Sequence, residues 1–461
     1  MVGKETAASG ETERKDDGRK LFAKALRIAW PSVMESFFVT LAGVIDTMMV
    51  STLGSAAVAA VGLTVQPKFI GLSIFFAINV ALSAIVARRK GEGKKDGANA
   101  VFLTSLVITV ALCAAVSFLC VLLANPIITI SGSSQDTHLD AVIYFRIIMG
   151  GMFFNVLTMV INAAQRGCGN TQIAMTTNVT SSIVNIFFNY LLIGGHFGFP
   201  ALGIQGAAIA TVLGTVVSSI MSVCSVLKKD GFISFFFIIK EKIKPSIDAV
   251  RSILKLAPNL FAENIMMRIG FLATSMIAAR LGTDEFAAHQ VGMNLLGLAF
   301  SFADGMQVAA VALTGESLGE GNKKRAFRYG NICQKIGLFI SACLSVTLFF
   351  GGRFIFSLFF NDAHILDMGV MISRVVMIIV LAQISQIIYG GCLRAAGDVK
   401  YTLIASIVSV TIIRTFMTIF LTSVLGMGLL GVWLGVLSDQ ISRFLFMSIR
   451  FYRGKWTELK L

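Results

Sequence analysis

The stretch LRIAWPSVMESFFVTLAGVIDTMMVSTL, residues 26–53, decides the fold class. It is long enough to cross a lipid bilayer as one helix, which needs about 20 apolar residues. It nevertheless carries two acidic side chains, Glu35 and Asp46, although an ionised group at membrane depth costs roughly 2.5–3.5 kcal/mol. We therefore expect Asp46 to face a polar cavity and to bind a cation or a proton. The alternative is a hydrogen bond to a neighbouring helix with no further role.

The composition of the whole chain agrees with a membrane protein. Hydrophobic residues make up 56% of the 461 residues and charged residues 14%, against about 45–50% and ~25% in soluble domains. The apolar runs lack the alternation of barrel strands, so we predict an all-α polytopic protein in contact with the lipid bilayer. The net charge of +14 is spread over short segments between apolar runs, which argues against a nucleic-acid partner. No nucleotide or metal-ligand motif is present in the sequence, and we predict neither an enzyme nor a cofactor.

Twelve apolar segments of the sequence are predicted to be transmembrane helices. They are residues 26–52, 58–86, 99–124, 141–163, 172–195, 203–227, 252–280, 286–315, 330–351, 368–391, 401–423 and 428–449. The connecting segments alternate between rich in lysine and arginine and nearly free of them. By the positive-inside rule the basic segments, and with them both termini, lie in the cytoplasm, and the protein lies in the plasma (cytoplasmic) membrane.

The two halves of the chain repeat each other at a constant offset in residue number. Gly-Glu-Gly at 91–93 recurs at 319–321, which sets the offset (319 − 91 = 228). Further pairs with the same offset are Glu35 and Glu263, Gly54 and Gly282, Arg146 and Arg374, Arg166 and Arg394, and Gly169 and Gly397. Six spans per half give both halves the same polarity, hence a pseudo-two-fold axis along the membrane normal. Such a duplication favours a transporter with a cavity between its halves, although a channel could also be duplicated.

These observations predict five regions. They are a disordered cytoplasmic tail (1–22), an N-terminal six-helix bundle (23–227), a cytoplasmic linker (228–251), a C-terminal six-helix bundle (252–450) and a cytoplasmic tail (451–461). We expect two pseudo-symmetric six-helix bundles in a protein that functions as a monomer.

Two asparagines in the fifth span extend the candidate site at Asp46. Asn185 and Asn189 are four residues apart and share one helix face. Asn189 lies about as far from the outer end of its span as Asp46 does. One carboxylate with two amides is suited to a proton, or to a weak Na⁺ site. The alternative is that the amides only hold helices together.

The C-terminal half offers Glu263 in the seventh span as a second site for an ion or a cationic substrate. The structural alternative is that Arg268, five residues on, neutralises it, or that it is held protonated. Asp439 and Arg443 are expected to pair with each other at a spacing of four residues. Weaker candidates for lining a substrate cavity are Glu35, Asp304, Gln383, Gln386, Tyr389 and Arg414.

Beyond its N-terminal tail the chain resembles the multidrug and toxic compound extrusion (MATE) transporters. The segments that carry the resemblance are P-x-x-x-E with the later Asp46-Thr47, QRGCGNT (165–171) with LRAAGDVK (393–400), NIFFNYLLIGG (185–195) with LGIQGAAIAT, FAENIMMRIGFL (261–272), AAHQVGMN (287–294), GESLGEGNKKRA (315–326) and RFYRGKW (450–456). The resemblance implies two six-helix bundles arranged as a V. It also implies an antiporter that expels organic cations or amphiphilic compounds in exchange for H⁺ or Na⁺.

Within this resemblance, Asp46 matches the first-span aspartate implicated in ion coupling, and Asn185 matches the first polar position of the fifth-span motif. Asn189 stands where one branch of the family has a second aspartate. Glu263 resembles the seventh-span glutamate of the other branch, which usually adds acids in the tenth span. This chain has at that place Gln383, Gln386 and Tyr389. We predict H⁺ as the coupling ion, because a lone Asp46 gives Na⁺ only one charge.

Two other functions remain open on the sequence. A flippase for lipid-linked saccharides or another large amphiphile would need an arginine-lined cavity, for which Arg414 and Arg268 are available. A receptor or assembly scaffold that transports nothing would leave the intramembrane acids unexplained. Such proteins usually bring a folded domain outside the membrane, and the sequence has no hydrophilic segment long enough for one.

Overall fold

The structure is a computed structural model and describes residues 2–229, 231–360 and 362–459; the side chains of residues 2–17, 55 and 283 lie outside the description. Within these ranges all regular structure is helical. The twelve long helices are α1 (Val2–Ser51), α2 (Ser55–Gly91), α3 (Lys95–Leu122), α4 (Gln135–Gly150 with Met152–Gly167), α5 (Thr171–Gly194), α6 (Gly203–Val226), α7 (Ile247–Ala279), α8 (Thr283–Gly319), α9 (Lys323–Ser357), α10 (Ala363–Ala395), α11 (Val399–Val424) and α12 (Gly428–Tyr452). Short helical segments lie between some of them, at Ala124–Ile130, His196–Gly198 and Phe235–Lys240, and Lys455–Glu458 follows α12.

The twelve predicted spans correspond to these twelve helices. Within the described ranges, ten are each long and apolar enough to cross a bilayer, and α4 adds an eleventh if its two parts form one span. Those two parts meet at 45°, beside the pair Gly150 and Gly151, where a helix bends easily. The remaining helix, α5, has 24 residues, and its three asparagines lower its mean hydropathy. The all-α polytopic fold with two pseudo-symmetric bundles is thus confirmed.

The start of α1 differs from the prediction. The segment 1–22 was expected to be disordered, whereas α1 begins at Val2 and runs without a break into the first span. The segment is rich in Ala, Glu, Lys and Arg, which favour helix formation. Leu21 is already buried in the hydrophobic core, so the last residues of the segment pack as part of the bundle; Met1 lies outside the described residues.

Polar contacts repeat between the halves at the offset found in the sequence. The Ser117 hydroxyl donates to the carbonyl oxygen of Met149 at 2.7 Å. The Ser345 hydroxyl donates to the carbonyl oxygen of Met377, also at 2.7 Å. Both members of the second pair stand at that offset from the members of the first (345 − 117 = 228 and 377 − 149 = 228). The repeated sequence therefore forms the same local packing twice.

The two halves meet tightly at the end that carries the lysine- and arginine-rich loops, here called the basic end. Gly91 at the end of α2 faces α8, and a Cβ there would clash with the carbonyl oxygen of Glu316. Its repeat mate Gly319 faces α2, and a Cβ there would clash with the carbonyl oxygen of Arg88. Only glycine allows so close a backbone approach. We call Gly91 with Gly319 the glycine contact.

An ion pair reinforces the glycine contact. The Glu316 carboxylate on α8 lies 2.9 Å from the ammonium nitrogen of Lys24 on α1 and 3.4 Å from that of Lys90 on α2. Toward the opposite end, the contacts between α1 and α8 continue to Thr40, whose hydroxyl lies 2.6 Å from that of Ser301. Beyond that point α1 is exposed: from 41 to 47, the one buried side chain is Ala42. We therefore interpret the space between the halves as a cleft that is closed at the basic end and open at the other.

Candidate functional site

The two repeat-related glutamates each form an ion pair with a repeat-related arginine. Arg166 at the end of α4 donates to Oε1 of Glu35, and Asn178 on α5 donates to the same oxygen at 2.5 Å. In the other half Arg394 donates to Oε1 of Glu263 at 2.7 Å. Both glutamates are almost fully buried, at 4% and 2% exposed. Hydrogen bonds between a carboxylate and a guanidinium are among the strong ones, so each of these two acids has a basic partner within its own half.

Hydroxyl groups complete the environment of Glu263. Ser406 donates to Oε1 at 2.8 Å and Thr402 to Oε2 at 3.2 Å. Ser406 is the repeat mate of Asn178 (406 − 178 = 228). Its hydroxyl on α11 therefore bonds to Glu263 as the amide of Asn178 on α5 bonds to Glu35. The ion pair of Glu263 with Arg268, one of the predicted alternatives, is wrong. Arg268 instead places its guanidinium 4.5 Å from the ring centre of Phe69 on α2.

Asp46 lies in a different environment. The amide of Asn189 donates to its Oδ1 at 2.5 Å, and this amide lies 3.5 Å from Oδ1 of Asn185. Asn185 in turn donates to the hydroxyl of Thr211 on α6 at 3.1 Å. The structure thus brings together the carboxylate and the two amides singled out in the sequence. Asp46 is half-buried, and within the described ranges it has no salt bridge.

One basic residue lies near this cluster without touching it. The ammonium of Lys68 on α2 interacts with Asp46 through space, at more than the 4.0 Å of a salt bridge. The oxygen of Asn189 is buried and has no hydrogen-bond partner among the described residues. The cluster therefore offers a carboxylate whose charge is not fixed by an arginine, with an unused acceptor beside it.

Asp304 on α8 is the second intramembrane acid without a fixed partner. It is exposed and makes no hydrogen bond or salt bridge in the part of the chain that the structure describes. Its electrostatic neighbours are Arg166 and Glu35 from the N-terminal half and Arg394 from the C-terminal half. It is thus located where charged groups of both halves converge.

Arg414, predicted to line a cavity, is instead enclosed within the C-terminal half. Its side chain is fully buried, 3.7 Å from a carboxylate oxygen of Asp439 and 4.6 Å from the ring centre of Phe271. Asp439 accepts two bonds from Arg443, at 3.1 and 3.0 Å, which is the predicted pair. π-Helical turns at Ile407–Ile413 and Phe420–Val424 flank Arg414. The charged side chains Arg414, Asp439 and Arg443 of α11 and α12 thus lie together inside the C-terminal bundle.

The three polar residues of the tenth helix are also interior. Gln383, Gln386 and Tyr389 are 3%, 5% and 3% exposed. Gln386 lies 3.5 Å from Gln440 on α12, and the Tyr389 hydroxyl lies 3.0 Å from that of Tyr452. The expectation that they line a substrate cavity differs from the structure, because all three are buried within the bundle, and Gln386 and Tyr389 face α12.

Three site neighbours were missed in the sequence. Arg166 and Arg394 were assigned to basic loops, although their shared offset with Glu35 and Glu263 was a signal that each pairs with the glutamate of its own half. Lys68 lies within the predicted span 58–86, and no role was predicted for it. A lysine inside a span is itself a sign of a nearby acid.

Comparison with known proteins agrees with this architecture. The family model MatE matches residues 31–191 and again residues 260–437, so the starts of the two matches are separated by nearly the offset of the repeat (260 − 31 = 229). The chain is 25% identical over 450 residues to the probable multidrug resistance protein NorM of Thermotoga maritima, covering 96% of this chain and 94% of that protein. It is 24% identical to the uncharacterized transporter YisQ of Bacillus subtilis, covering 94% of each.

Solved structures show the same fold. An outward-facing conformation of a multidrug resistance MATE family transporter of the MOP superfamily matches with a TM-score of 0.87 at 23% identity, over 94% of this chain and 97% of that one. A MOP superfamily transporter from Pyrococcus furiosus matches with a TM-score of 0.86 at 22% identity, with the same coverage. Because the family model matches well over half of the residues, in both halves, the chain belongs to the MatE family, that of the MATE transporters.

Proposed function

We propose that this protein is a proton-coupled multidrug efflux antiporter that expels cationic or amphiphilic organic compounds by alternating access. Asp46 is the coupling carboxylate, and H⁺ rather than Na⁺ is the coupling ion. The similarity to proteins named as probable multidrug resistance proteins supports the substrate class. The alternation of basic and non-basic loops supports a location in the plasma membrane with both termini in the cytoplasm.

One observation carries the proposal: Asp46 is bonded to a neutral amide, whereas the other buried acids are bonded to arginines. Glu35, Glu263 and Asp439 each contact a guanidinium, which compensates a carboxylate charge directly. An acid that couples transport must gain and lose a proton during the cycle. Asp46 is partly exposed at the open part of the cleft, so a proton can reach it, and its charge is not cancelled by a contact ion pair within the described residues.

Asn189 can serve both protonation states of Asp46. With Asp46 ionised, its amide nitrogen donates to the carboxylate, as in the structure. With Asp46 protonated, rotation of the amide would present the oxygen, which has no partner among the described residues, to the new O–H donor. An asparagine has both a donor and an acceptor for this exchange, so neither state leaves Asp46 without a bond.

Lys68 supports H⁺ over Na⁺. Its ammonium balances part of the charge of the ionised carboxylate. A Na⁺ ion at Asp46 would lie near the Lys68 ammonium, and the single carboxylate of Asp46 would have to compensate both positive charges. A proton, by contrast, joins the carboxylate covalently and needs no further oxygen ligands.

In the cycle that follows, the ionised form of Asp46 favours the presence of a cationic substrate in the cleft, and protonation from outside favours its release. The closed basic end, held by the glycine contact and by Glu316, corresponds to the state open to the outside. Opening of that end would bring Asp46 into contact with the cytoplasm, where it loses its proton.

A flippase for large amphiphiles is the second candidate. The feature that would favour it is an exposed arginine between the halves, and Arg268 is exposed beside Phe69. Arg414, the other arginine considered, is fully buried, so the cleft is less basic than an arginine-lined cavity for lipid-linked saccharides would be.

Efflux from proteoliposomes distinguishes these candidates. The protein is reconstituted into vesicles loaded with a fluorescent lipophilic cation, and efflux is followed under a pH gradient or, separately, a Na⁺ gradient. We expect efflux with the pH gradient alone. A response to Na⁺ alone would refute H⁺ coupling, and no response to either gradient would favour the flippase.

A further inference from the structure

α8 carries a polar stripe that faces the cleft. Asn294, Gly297, Ser301 and Asp304 recur every three or four residues and so share one side of the helix. Asn294, Gly297 and Asp304 are exposed and Ser301 is half-buried. Ser301 contacts Thr40 of α1, so the stripe faces the opposite half of the protein rather than lipid. Asp304 is the residue of the stripe nearest the basic end.

The cleft closes immediately below Asp304. The next residue, Gly305, packs on α1 so closely that a Cβ there would lie 2.6 Å from Cα of Val33. One turn further, Gln307 accepts a bond of 2.7 Å from Arg394. Asp304 is therefore positioned at the floor of the cleft, between the contact of α8 with α1 and its contact with α10.

The acid–base pairs around this floor leave one acidic side chain, that of Asp304, without a partner among the described residues. Glu35 is paired with Arg166, and Glu263 is paired with Arg394. Asp304 interacts electrostatically with both arginines but bonds to neither, since their bonds go to the glutamates and to Gln307. Among the described residues of the floor, Asp304 is thus a carboxyl group without a bonded basic partner, and a positively charged ligand could pair with it.

We propose that Asp304 is the residue that binds the positive charge of a transported organic cation. This inference rests on the proposed efflux function. It assigns different tasks to Asp304 and Asp46, two intramembrane acids without a salt bridge among the described residues. Asp304 at the floor contacts the cationic group, while Asp46, about four turns of helix from the closed region, controls release through its protonation.

The roles of the flanking ion pairs follow from this assignment. Because Glu35 and Glu263 already engage the arginines, the guanidinium groups are not free to neutralise Asp304. They also keep the floor from becoming so negative that a divalent cation would be preferred. A large aromatic cation can lie along the polar stripe with its charge on Asp304 and its rings against the apolar residues of α1.

Equilibrium binding to the purified, detergent-solubilised full chain tests this proposal. The probe is tetraphenylphosphonium, and triphenylphosphine oxide is the uncharged reference compound. The variants are Asp304→Asn, Asp304→Glu, Asp46→Asn and, as a matched loss of one negative charge on the exposed first turn of α7, Asp248→Asn. Affinities are measured at acidic and at alkaline pH.

We expect Asp304→Asn to weaken tetraphenylphosphonium binding by about tenfold or more at both pH values, a loss of about 1.4 kcal/mol or more. Binding of triphenylphosphine oxide should be unchanged, and Asp304→Glu and Asp248→Asn should bind the cation like the wild type. Asp46→Asn should abolish the pH dependence of binding, whereas Asp304→Asn should retain it.

Three results would overturn the inference. Unchanged affinity of Asp304→Asn for the cation would do so while leaving the efflux function intact. Equal losses for the cation and the uncharged compound would identify a packing effect. Absence of cation binding to the wild type would refute the proposed substrate class and this inference together.

Discussion

The amide of Asn189 donates a hydrogen bond of 2.5 Å to Oδ1 of Asp46, and this bond joins the first and fifth helices of the N-terminal half. The corresponding positions of the other half are Thr274 (274 − 46 = 228) and Met417 (417 − 189 = 228), whose side chains cannot form it. The two halves are thus alike in their glutamate–arginine pairs and unlike at this point. The proposed coupling site is a departure from the symmetry of the repeat.

Replacing Asn189 with leucine should impair coupling more than the same change at Asn185. The first change removes the donor to Asp46, and a hydrogen bond to a charged group contributes about 1.5–3 kcal/mol. We expect pH-driven efflux to fall by about tenfold or more in Asn189→Leu. Asn185 contacts Asp46 only through Asn189, so Asn185→Leu should retain most of the activity. Equal losses in the two variants would contradict this order.

The ion pair of Glu263 and Arg394 should stabilise the fold rather than couple transport. Removing one partner from a buried pair leaves the other charge uncompensated, which costs roughly 3–5 kcal/mol. Thermal unfolding in detergent should therefore show large destabilisation in Glu263→Gln and in Arg394→Gln. The double variant should be destabilised by less than the two single changes together.

The matched pair Glu35 and Arg166 should give the same pattern, since its geometry repeats.

A Glu263→Gln protein that still folds should retain efflux driven by a pH gradient. Loss of the pH response in a folded Glu263→Gln protein would move the coupling site to the C-terminal half.

Enlarging a glycine of the glycine contact should change the conformation of the basic end without changing its charge. In Gly319→Ala, the new methyl group would clash with the carbonyl oxygen of Arg88, so α2 and α8 must move apart. We expect a cysteine-specific reagent added from the basic side to label a cysteine placed in the cleft faster in this variant. Gly297→Ala on the same helix is the control, since nothing among the described residues lies within 4 Å of its Cβ position. Equal labelling rates in the two variants would mean that this contact does not hold the closed end.

Much of the fold followed from the sequence because its determinants are linear. The length of the apolar segments predicted the spans, and the constant offset in residue number between repeated motifs predicted the two halves. The pairing of Asp46 with Asn189 also followed, since both lie at similar distances from the ends of their spans. The helical start of α1 was not predicted, because the polar composition of residues 1–22 indicates disorder, although the same residue types favour helix formation.

The remaining site residues depended on which side of each helix faces which neighbour. Arg166 and Arg394 lie at helix ends that the sequence assigns to loops, yet their long side chains extend inward to Glu35 and Glu263. Gln383 and Arg414 are polar in apolar spans, which predicts a cavity or a buried contact equally well. The structure assigns them to the interior because α10 and α11 pack against α12, and no sequence periodicity distinguishes that side from the cleft.

Coupling through Asp46 is tested most directly by asking whether substrate binding releases a proton from this residue. Tetraphenylphosphonium is added to the purified protein in weakly buffered solution, and the pH change is recorded for the wild type, Asp46→Asn and the control Asp248→Asn. We expect proton release from the wild type and from Asp248→Asn, and none from Asp46→Asn. Undiminished release from an Asp46→Asn protein that still binds the cation would contradict coupling through Asp46.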